Sequence, residues 1–199
     1  MNRKYIWYAG LTIVVGVFLV AVIIFSAKGR VTQKKPTPIY IDENTYYPVT
    51  RVIDGDTFNA KVGEKEITVR MLGINTPETV DPRKPPECFG KEASDETKLL
   101  LGHMKVQLKL NPKREVLDKY GRYLAYIYRE DGLFINEYLL KDGFAKEYTY
   151  GKPYSEQRNF KKAEKKAQGN KVGLWERCYT NDTKIQIITN NTSKNSNGI

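Results

Sequence analysis

Histidine, cysteine and tryptophan are scarce in this chain: its 199 residues contain one, two and two of them, respectively. The single histidine, His103, excludes a metal centre that draws on several imidazoles. The sequence also lacks an internal repeat, so one domain with appendages is expected at this length. Any chemistry must therefore rest on carboxylates and arginines.

The two cysteines, Cys88 and Cys178, are 90 residues apart. In an extracytoplasmic protein an even pair of this kind most simply forms one disulfide bond. In a reducing compartment the same residues would be two buried thiols. The choice between these states depends on the compartment.

A long uncharged run lies near the start of the chain, at residues 5–27. As a helix it would be ~35 Å long at ~1.5 Å per residue, enough to cross the hydrocarbon core of a bilayer. A cleaved signal peptide is the alternative, but a cut after Ala27 would leave Phe25 where a small residue is expected. Residues 1–28 are therefore predicted to be an uncleaved transmembrane anchor.

Positive charge is not confined to the ends of the chain. The net charge is +10, and residues 46–178 hold 25 Lys and Arg against 20 Asp and Glu. A moderately basic domain suits a polyanionic partner, although a soluble basic domain without one has the same excess. Residues 29–45 are predicted to be a basic linker, and residues 179–199, rich in Asn, Thr and Ser, a flexible tail.

The pattern of residues 46–178 predicts an α+β domain. Short segments rich in β-branched and aromatic residues, separated by turn signals, predict five strands, at 46–53, 57–62, 66–72, 106–110 and 123–128. Three further segments predict helices, at 91–104, 134–140 and 154–169. Five strands with inserted helices fit a small closed barrel of the OB type better than a sandwich.

Polar residues concentrate at two turns next to apolar strands. Asp54 and Asp56 lie in one of them, and Asn75, Thr76 and Glu78 lie in the other. Oxygen ligands spaced in this way suit a hard cation such as Ca²⁺. Arg70 lies on the apolar strand that leads into the second turn, where an arginine is expected to point at an anion, and a second such arginine, Arg122, follows residues 118–121.

Three segments resemble the signature segments of the staphylococcal nuclease (thermonuclease) family. They read VIDGDT at residues 52–57, VRMLGINTPE at 69–78 and DKYGR at 118–122. Shorter matches, GKEA at 90–93 and GLW at 173–175, follow in the same order. Three multi-residue matches in register are specific, whereas a lone Asp-Gly-Asp would be weak. The resemblance implies an OB-fold nuclease that binds Ca²⁺ and cuts DNA and RNA, leaving 3′-phosphate ends.

The resemblance also implies roles for individual residues. Asp56 would bind the metal with the carbonyl of Thr76, and Asp54 would support Asp56 from behind. Arg70 would bridge phosphate oxygens, Arg122 would stabilise charge as the bond breaks, and Glu78 would orient or deprotonate the attacking water. These roles agree with the chemistry, because phosphodiester cleavage gathers negative charge that guanidinium groups and a divalent ion offset.

The remaining candidates concern metal affinity and substrate. Asn75 stands where the family has an aspartate ligand, so the site loses a negative charge while an amide oxygen can still coordinate Ca²⁺. Lys119, Tyr148 and Tyr150 are candidates for substrate contacts, the tyrosines by stacking on bases of a single strand. The competing interpretation of these tyrosines is an ordinary place in the core or at the surface.

Two other functions compete with a nuclease. One is an OB-fold module that holds nucleic acid at the cell surface without cutting it, and a weaker one is a scaffold that binds lipid or wall polyanions. The full catalytic set favours the enzyme, because binding alone does not require it. We expect a monomer anchored in the membrane, with the catalytic domain outside the cytoplasm, where calcium is available and Cys88 and Cys178 can form a disulfide.

Overall fold

The computed structural model describes residues 37–79, 82 and 85–179. The strands and helices within them are, in chain order, β1 (Tyr47–Asp54), β2 (Thr57–Val62), β3 (Lys65–Met71), β4 (Ile74–Asn75), α1 (Gly90–Leu101), β5 (Lys105–Leu110), β6 (Tyr123–Arg129), α2 (Ile135–Lys141), β7 (Lys146–Glu147), α3 (Gln157–Asn170) and α4 (Leu174–Arg177).

Five of these strands close into a barrel, in the order β1-β2-β3-β6-β5. All neighbouring pairs are antiparallel except β3 and β6, which are parallel. The α+β class and the five-stranded barrel predicted from the sequence are confirmed. The register of β1 against β2 shifts twice, on either side of Arg51 and Val52. Such irregularities increase the local twist of a strand and help a small sheet to close.

Alternation along the strands fills the barrel. Phe58 and Ala60 on β2 are fully buried, as are Val69 and Met71 on β3, each pair two residues apart. Because successive strand residues point to opposite faces, this spacing turns one face of each strand to the interior. Burying a large apolar side chain stabilises the fold by roughly 2 kcal/mol.

The helices cover the barrel with narrow apolar faces. On α3, Phe160, Ala163 and Ala167 are buried, at the spacing of one helical face, while the lysines between them are exposed. On α2, the buried Asn136 accepts a hydrogen bond from the N–H of Ile127 at 2.9 Å and donates one to the carbonyl of Leu72 at 2.9 Å. This side chain therefore joins α2 to two segments of the barrel.

Several features differ from the sequence-based prediction: the helix predicted at 91–104 ends at Leu101, and the short helix α4 was not predicted. The helix predicted at 154–169 begins only at Gln157, because Tyr154 is buried and its hydroxyl donates to the carboxylate of Glu147 at 2.8 Å, with the carbonyl of Gly73 also within reach at 3.2 Å. A second sheet, formed by β4 and β7, was not predicted; it pairs Asn75 with Lys146. This small sheet joins the turn after β3 to the chain after α2.

The disulfide bond between Cys88 and Cys178 is present, with the two Cα atoms 5.9 Å apart. Cys88 lies two residues before α1, and Cys178 follows α4 directly. Across the described ranges, no helix combines the length and apolar character needed to cross a membrane. The predicted anchor at 1–28 and residues 180–199 of the predicted tail lie outside those ranges.

Candidate active site

The turn between β1 and β2 carries two aspartates that are almost fully buried, Asp54 at 6% exposure and Asp56 at 5%. Thr97 on α1 donates its hydroxyl to the carbonyl of Gly55 at 2.6 Å. A Cβ atom at Gly55 would lie 2.7 Å from the Oγ1 atom of Thr76, so a side chain would not fit there without displacing the neighbouring segment. The turn is therefore packed on both sides.

The carboxylate of Asp54 accepts two hydrogen bonds from nearby residues. Its Oδ1 atom accepts hydrogen bonds from the hydroxyl of Thr79 at 2.7 Å and from the N–H of Gly55 at 2.8 Å. Burial raises the pKa of Asp54 above its ordinary value; these hydrogen bonds oppose the rise, and the negative charges of Asp56 and Glu78 add to it. Asp54 is thus buried in the same turn as Asp56, and its supporting role stays a prediction.

Arg70 connects the two polar turns. Its guanidinium lies 2.6 Å from the Oδ2 atom of Asp56 and donates to the Oδ1 atom of Asn75 at 2.8 Å. The same Oδ2 atom accepts the N–H of Thr76 at 2.9 Å. The Arg70 side chain is only 12% exposed, so solvent screens this pair little. Asp56, Arg70, Asn75 and Thr76 thus form one connected group, the barrel-end cluster.

The barrel-end cluster contains oxygen atoms of the kinds that bind hard cations. They are the carboxylate of Asp56, the amide oxygen of Asn75 and the carbonyl of Thr76, which accepts the Asn75 amide N–H at 3.2 Å. The buried hydroxyl of Thr76 has no hydrogen-bond partner among the described residues. No group of three or more His, Cys, Asp or Glu side chains is placed to hold a metal within those residues. The set therefore combines one carboxylate with neutral oxygens, a low charge for a calcium site.

Glu78 follows the cluster and is tied to a residue that the sequence analysis did not select. The N–H of Glu78 donates to the carboxylate of Glu87 at 3.2 Å, and the N–H of Glu87 donates to the carbonyl of Glu78 at 2.9 Å. The Glu78 side chain itself accepts the N–H of Thr79 at 2.9 Å. Glu87 lies outside the five segments that resemble the family. In the sequence, its position beside Cys88 is the one feature that could have drawn attention to it.

Arg122 lies on the loop before β6 and has a local partner. Its Nε atom donates to Asp118 at 2.7 Å, and its backbone N–H donates to the other oxygen of that carboxylate at 2.9 Å. The guanidinium lies 5.3 Å from the ring centre of Tyr120, and the ammonium of Lys119 lies 4.8 Å from the same ring. The Arg122 side chain is 31% exposed. This basic group therefore faces solvent far more than Arg70 does.

The register of the barrel relates Arg70 to the start of β6. In the parallel pair of β3 and β6, Arg70 lies opposite Leu124, and Val69 lies opposite Tyr123. Arg122 precedes β6 directly and is two residues before Leu124. The loop that carries Arg122 therefore joins the barrel at the strand that neighbours Arg70.

Tyr148 and Tyr150 form an exposed pair beside the small sheet. Their ring centres are 6.4 Å apart with planes at 27°, and they are 48% and 62% exposed. The N–H of Tyr148 donates to the carbonyl of Gly73 at 3.0 Å, two residues before Asn75. The pKa of Lys119 is raised, mainly by its hydrogen bond with Tyr120 and less strongly by Tyr150. The two tyrosines therefore lie at the surface near the predicted site rather than in the core.

Arg114 is a second residue that the sequence analysis missed. Its two terminal nitrogens donate to the carbonyls of Tyr150 and Lys152, each at 2.6 Å. These bonds hold the chain on both sides of Gly151, whose φ of +71° is a left-handed conformation. No pattern could have indicated Arg114, because its partners are backbone carbonyls that carry no sequence signal.

Comparison with known proteins identifies the family. The model of the family described as "Staphylococcal nuclease homologue" matches residues 68–177, a stretch that includes Arg70, Glu78 and Arg122. The chain belongs to the staphylococcal nuclease family. Within this family it is 43% identical over 129 residues to the thermonuclease of Staphylococcus hyicus, covering 65% of this chain and 75% of that protein.

Two other relatives agree with this membership. The thermonuclease of Staphylococcus intermedius is 40% identical over 131 residues, covering 66% of this chain and 76% of its own length. Endonuclease YncB of Bacillus subtilis is 38% identical over 146 residues, covering 72% of this chain and 68% of its own. The similarity identifies the chain as a nuclease of the staphylococcal nuclease family.

Proposed function

We propose that this nuclease uses Ca²⁺ to hydrolyse phosphodiester bonds in DNA and RNA, acts on single-stranded or frayed substrate, and leaves 3′-phosphate ends. The observation that carries the proposal is the Arg70 guanidinium, buried between Asp56 and Asn75 on a strand whose parallel neighbour, β6, begins directly after Arg122. A protein that only holds nucleic acid does not require a buried arginine beside a carboxylate, because exposed lysines and arginines supply sufficient charge.

The charges of the site match those of the reaction. Negative charge develops on the phosphate oxygens as the nucleophile attacks, and two guanidinium groups stabilise it by bidentate hydrogen bonds. Arg70 is held before substrate arrives by Asp56 and Asn75, and Arg122 is held by Asp118 through its Nε atom, which leaves its terminal nitrogens outside that ion pair. The Glu78 carboxylate would orient the attacking water and accept its proton.

The metal would be held by the barrel-end cluster. Asp56 would contribute its carboxylate, Thr76 its backbone carbonyl and Asn75 its amide oxygen. A divalent cation bound there supplies Lewis-acid stabilisation of the phosphate oxygens. Since Asp56 is the one carboxylate of this set, we expect calcium affinity to be modest.

The preference for single strands is supported by the exposed tyrosines. Tyr148 and Tyr150 present ring faces to solvent, and Lys119 and Arg122 lie close to the ring of Tyr120. Unpaired bases can stack on such rings, while paired bases cannot reach them. Stable duplex is therefore the poorer substrate under this proposal.

The location outside the cytoplasm is supported by the disulfide between Cys88 and Cys178, because such bonds persist mainly in oxidising compartments. We propose a monomer anchored by residues 1–28, with the catalytic domain outside. Thiol labelling of the unreduced, denatured protein from native membranes should find both cysteines blocked. Two free thiols would contradict this location.

The substrate preference can be tested with matched oligonucleotides. We expect faster cleavage of a single strand than of a G·C-rich hairpin stem that contains the same strand, and a 3′-phosphate at every new end. Binding should weaken steeply as salt rises. Equal rates on both substrates would contradict the single-strand preference, and a 3′-hydroxyl would contradict the proposed products.

A further inference from the structure

Two hydrogen bonds join the backbone of Glu78 to Glu87, one donated by each residue. The N–H of Glu78 donates to the Glu87 carboxylate at 3.2 Å, and the N–H of Glu87 donates to the Glu78 carbonyl at 2.9 Å. The two residues are nine positions apart in sequence. This double contact fixes the main chain from which the Glu78 side chain extends.

Glu87 is in turn fixed by its neighbours. Cys88 is bonded to Cys178, and the carbonyl of Glu87 accepts the N–H of Gly90 at 2.9 Å. Between them, Phe89 has a φ of +67°, a left-handed conformation that is costly for a side chain of this size. A conformation of this kind persists only where the surrounding structure imposes it.

The other end of the disulfide belongs to a firmly packed part of the fold. Cys178 donates its N–H to the carbonyl of Leu174 at 2.9 Å, and Leu174 donates to the carbonyl of Gly143 at 2.9 Å. Leu174 is buried, and Gly143 and Gly173 are so close that a Cβ atom on either would overlap the other segment. A continuous path of bonds therefore connects α4, through the disulfide and Glu87, to Glu78.

We infer that Glu87 is a positioning residue for Glu78 and that the Cys88–Cys178 disulfide keeps Glu87 in place, so that the rate of hydrolysis depends on the disulfide. The inference rests on the proposed role of Glu78. A dithiol reductant would donate two electrons and two protons, giving two cysteine thiols and an oxidised dithiol. Cys88 is exposed, so a soluble dithiol can reach the bond.

The effect should fall on kcat rather than on KM. Glu87 contacts the segment that carries Glu78, whereas the tyrosine pair is held by Arg114 and by Gly73. A displacement of ~1 Å near the reacting atoms can lower a rate ~100-fold, and a smaller shift lowers it less. We expect the loss of the Glu87 carboxylate to lower kcat about tenfold, with KM within about twofold.

Four forms of the full chain test the inference: wild type, Glu87→Ala, the double variant Cys88→Ser with Cys178→Ser, and all three changes together. Glu87→Ala and the double variant should each lower kcat about tenfold, and the combined form should be no slower than either, because both act through one path. Glu87→Gln keeps an acceptor for the Glu78 N–H and should restore most of the rate. Wild type treated with a dithiol should match the double variant.

Controls separate this inference from the proposed function. Glu64→Ala makes the same change on the exposed β2–β3 turn and should leave kcat unchanged. Thermal unfolding of each form shows that the assay temperature lies below its midpoint. Glu78→Gln is a further control and should be inactive. If it is inactive, a wild-type kcat in Glu87→Ala, or a kcat about 100-fold below wild type in the form with all three changes, would overturn the inference. An active Glu78→Gln would instead overturn the proposed role of Glu78.

Discussion

Two arginines of the proposed site lie in different settings. Arg70 lies on a barrel strand, is 12% exposed and contacts both Asp56 and Asn75 through its terminal nitrogens. Arg122 lies on a loop, is 31% exposed and pairs through Nε with Asp118, four residues before it. Under the proposed function, the barrel supplies a preorganised half of the site and the loop a half that adapts to substrate.

The largest expected effect comes from removing either guanidinium. Arg70→Ala and Arg122→Ala should each lower cleavage ~100-fold or more, since each removes a contact to developing charge. Their effects on stability should differ: Arg70→Ala leaves the buried Asp56 carboxylate unpaired and should cost roughly 3 kcal/mol of unfolding free energy, against less than about 1 kcal/mol for Arg122→Ala. Kinetics and chemical denaturation measure both effects. Equal losses of unfolding free energy in Arg70→Ala and Arg122→Ala would contradict the difference between the two settings.

A smaller effect is expected from restoring charge to the barrel half. Asn75→Asp adds a carboxylate next to Asp56 and should tighten calcium binding about tenfold. The measurement is a calcium titration of activity, with the midpoint compared between the two proteins. The same midpoint in both would mean that Asn75 does not contact the metal.

Changes to the exposed tyrosines near the site should alter substrate binding rather than the chemical step. Tyr148→Ala or Tyr150→Ala should raise KM about fivefold, which corresponds to the loss of one stacked base, without lowering kcat. Arg114→Ala should reproduce this rise, because its two bonds hold the Tyr150 segment. Steady-state kinetics on a short single strand measure these changes. A fall in kcat with KM unchanged would place these residues in the chemical step instead.

The smallest effect concerns Asp54 and the pH dependence of stability. The pKa of Asp54 is raised in the folded protein, mainly by burial, so the folded state holds this proton at pH values where the unfolded chain has released it. The unfolding free energy should therefore fall as pH rises from about the ordinary aspartate value, ~3.9, through the folded value. Asp54→Asn should flatten this part of the curve in denaturation measured with chelator present. An unchanged curve would contradict the raised pKa.

The parts of the fold that follow a pattern could be predicted from the sequence. Alternation of apolar residues predicts the barrel strands to within one or two residues at their ends. The β4–β7 sheet could not be predicted, because two residues per strand contain no period. The start of α3 was placed three residues too early, since the bond between the Tyr154 hydroxyl and Gly73 joins segments 81 residues apart. Contacts of that separation leave no local signal.

Some residues of the proposed site could likewise be predicted from the sequence, and others could not. The matched segments selected Asp56, Arg70 and Asn75, and the structure brings these residues into direct contact. Glu87 and Arg114 were not selected, because each acts on backbone atoms of other segments. A motif identifies the groups that are suited to the chemistry, whereas the residues that hold those groups in place become visible only when the chain is folded.

Under the proposed function, the barrel-end cluster holds the metal on which hydrolysis depends. This metal dependence is tested most directly by the rate at which the purified protein cuts a single-stranded oligonucleotide after chelation and after calcium is returned, for wild type and for Asp56→Ala. We expect chelation to stop wild-type cleavage, calcium to restore it, and calcium to restore nothing in Asp56→Ala. Cleavage that continues in chelator, or an Asp56→Ala protein that recovers as wild type does, would contradict it.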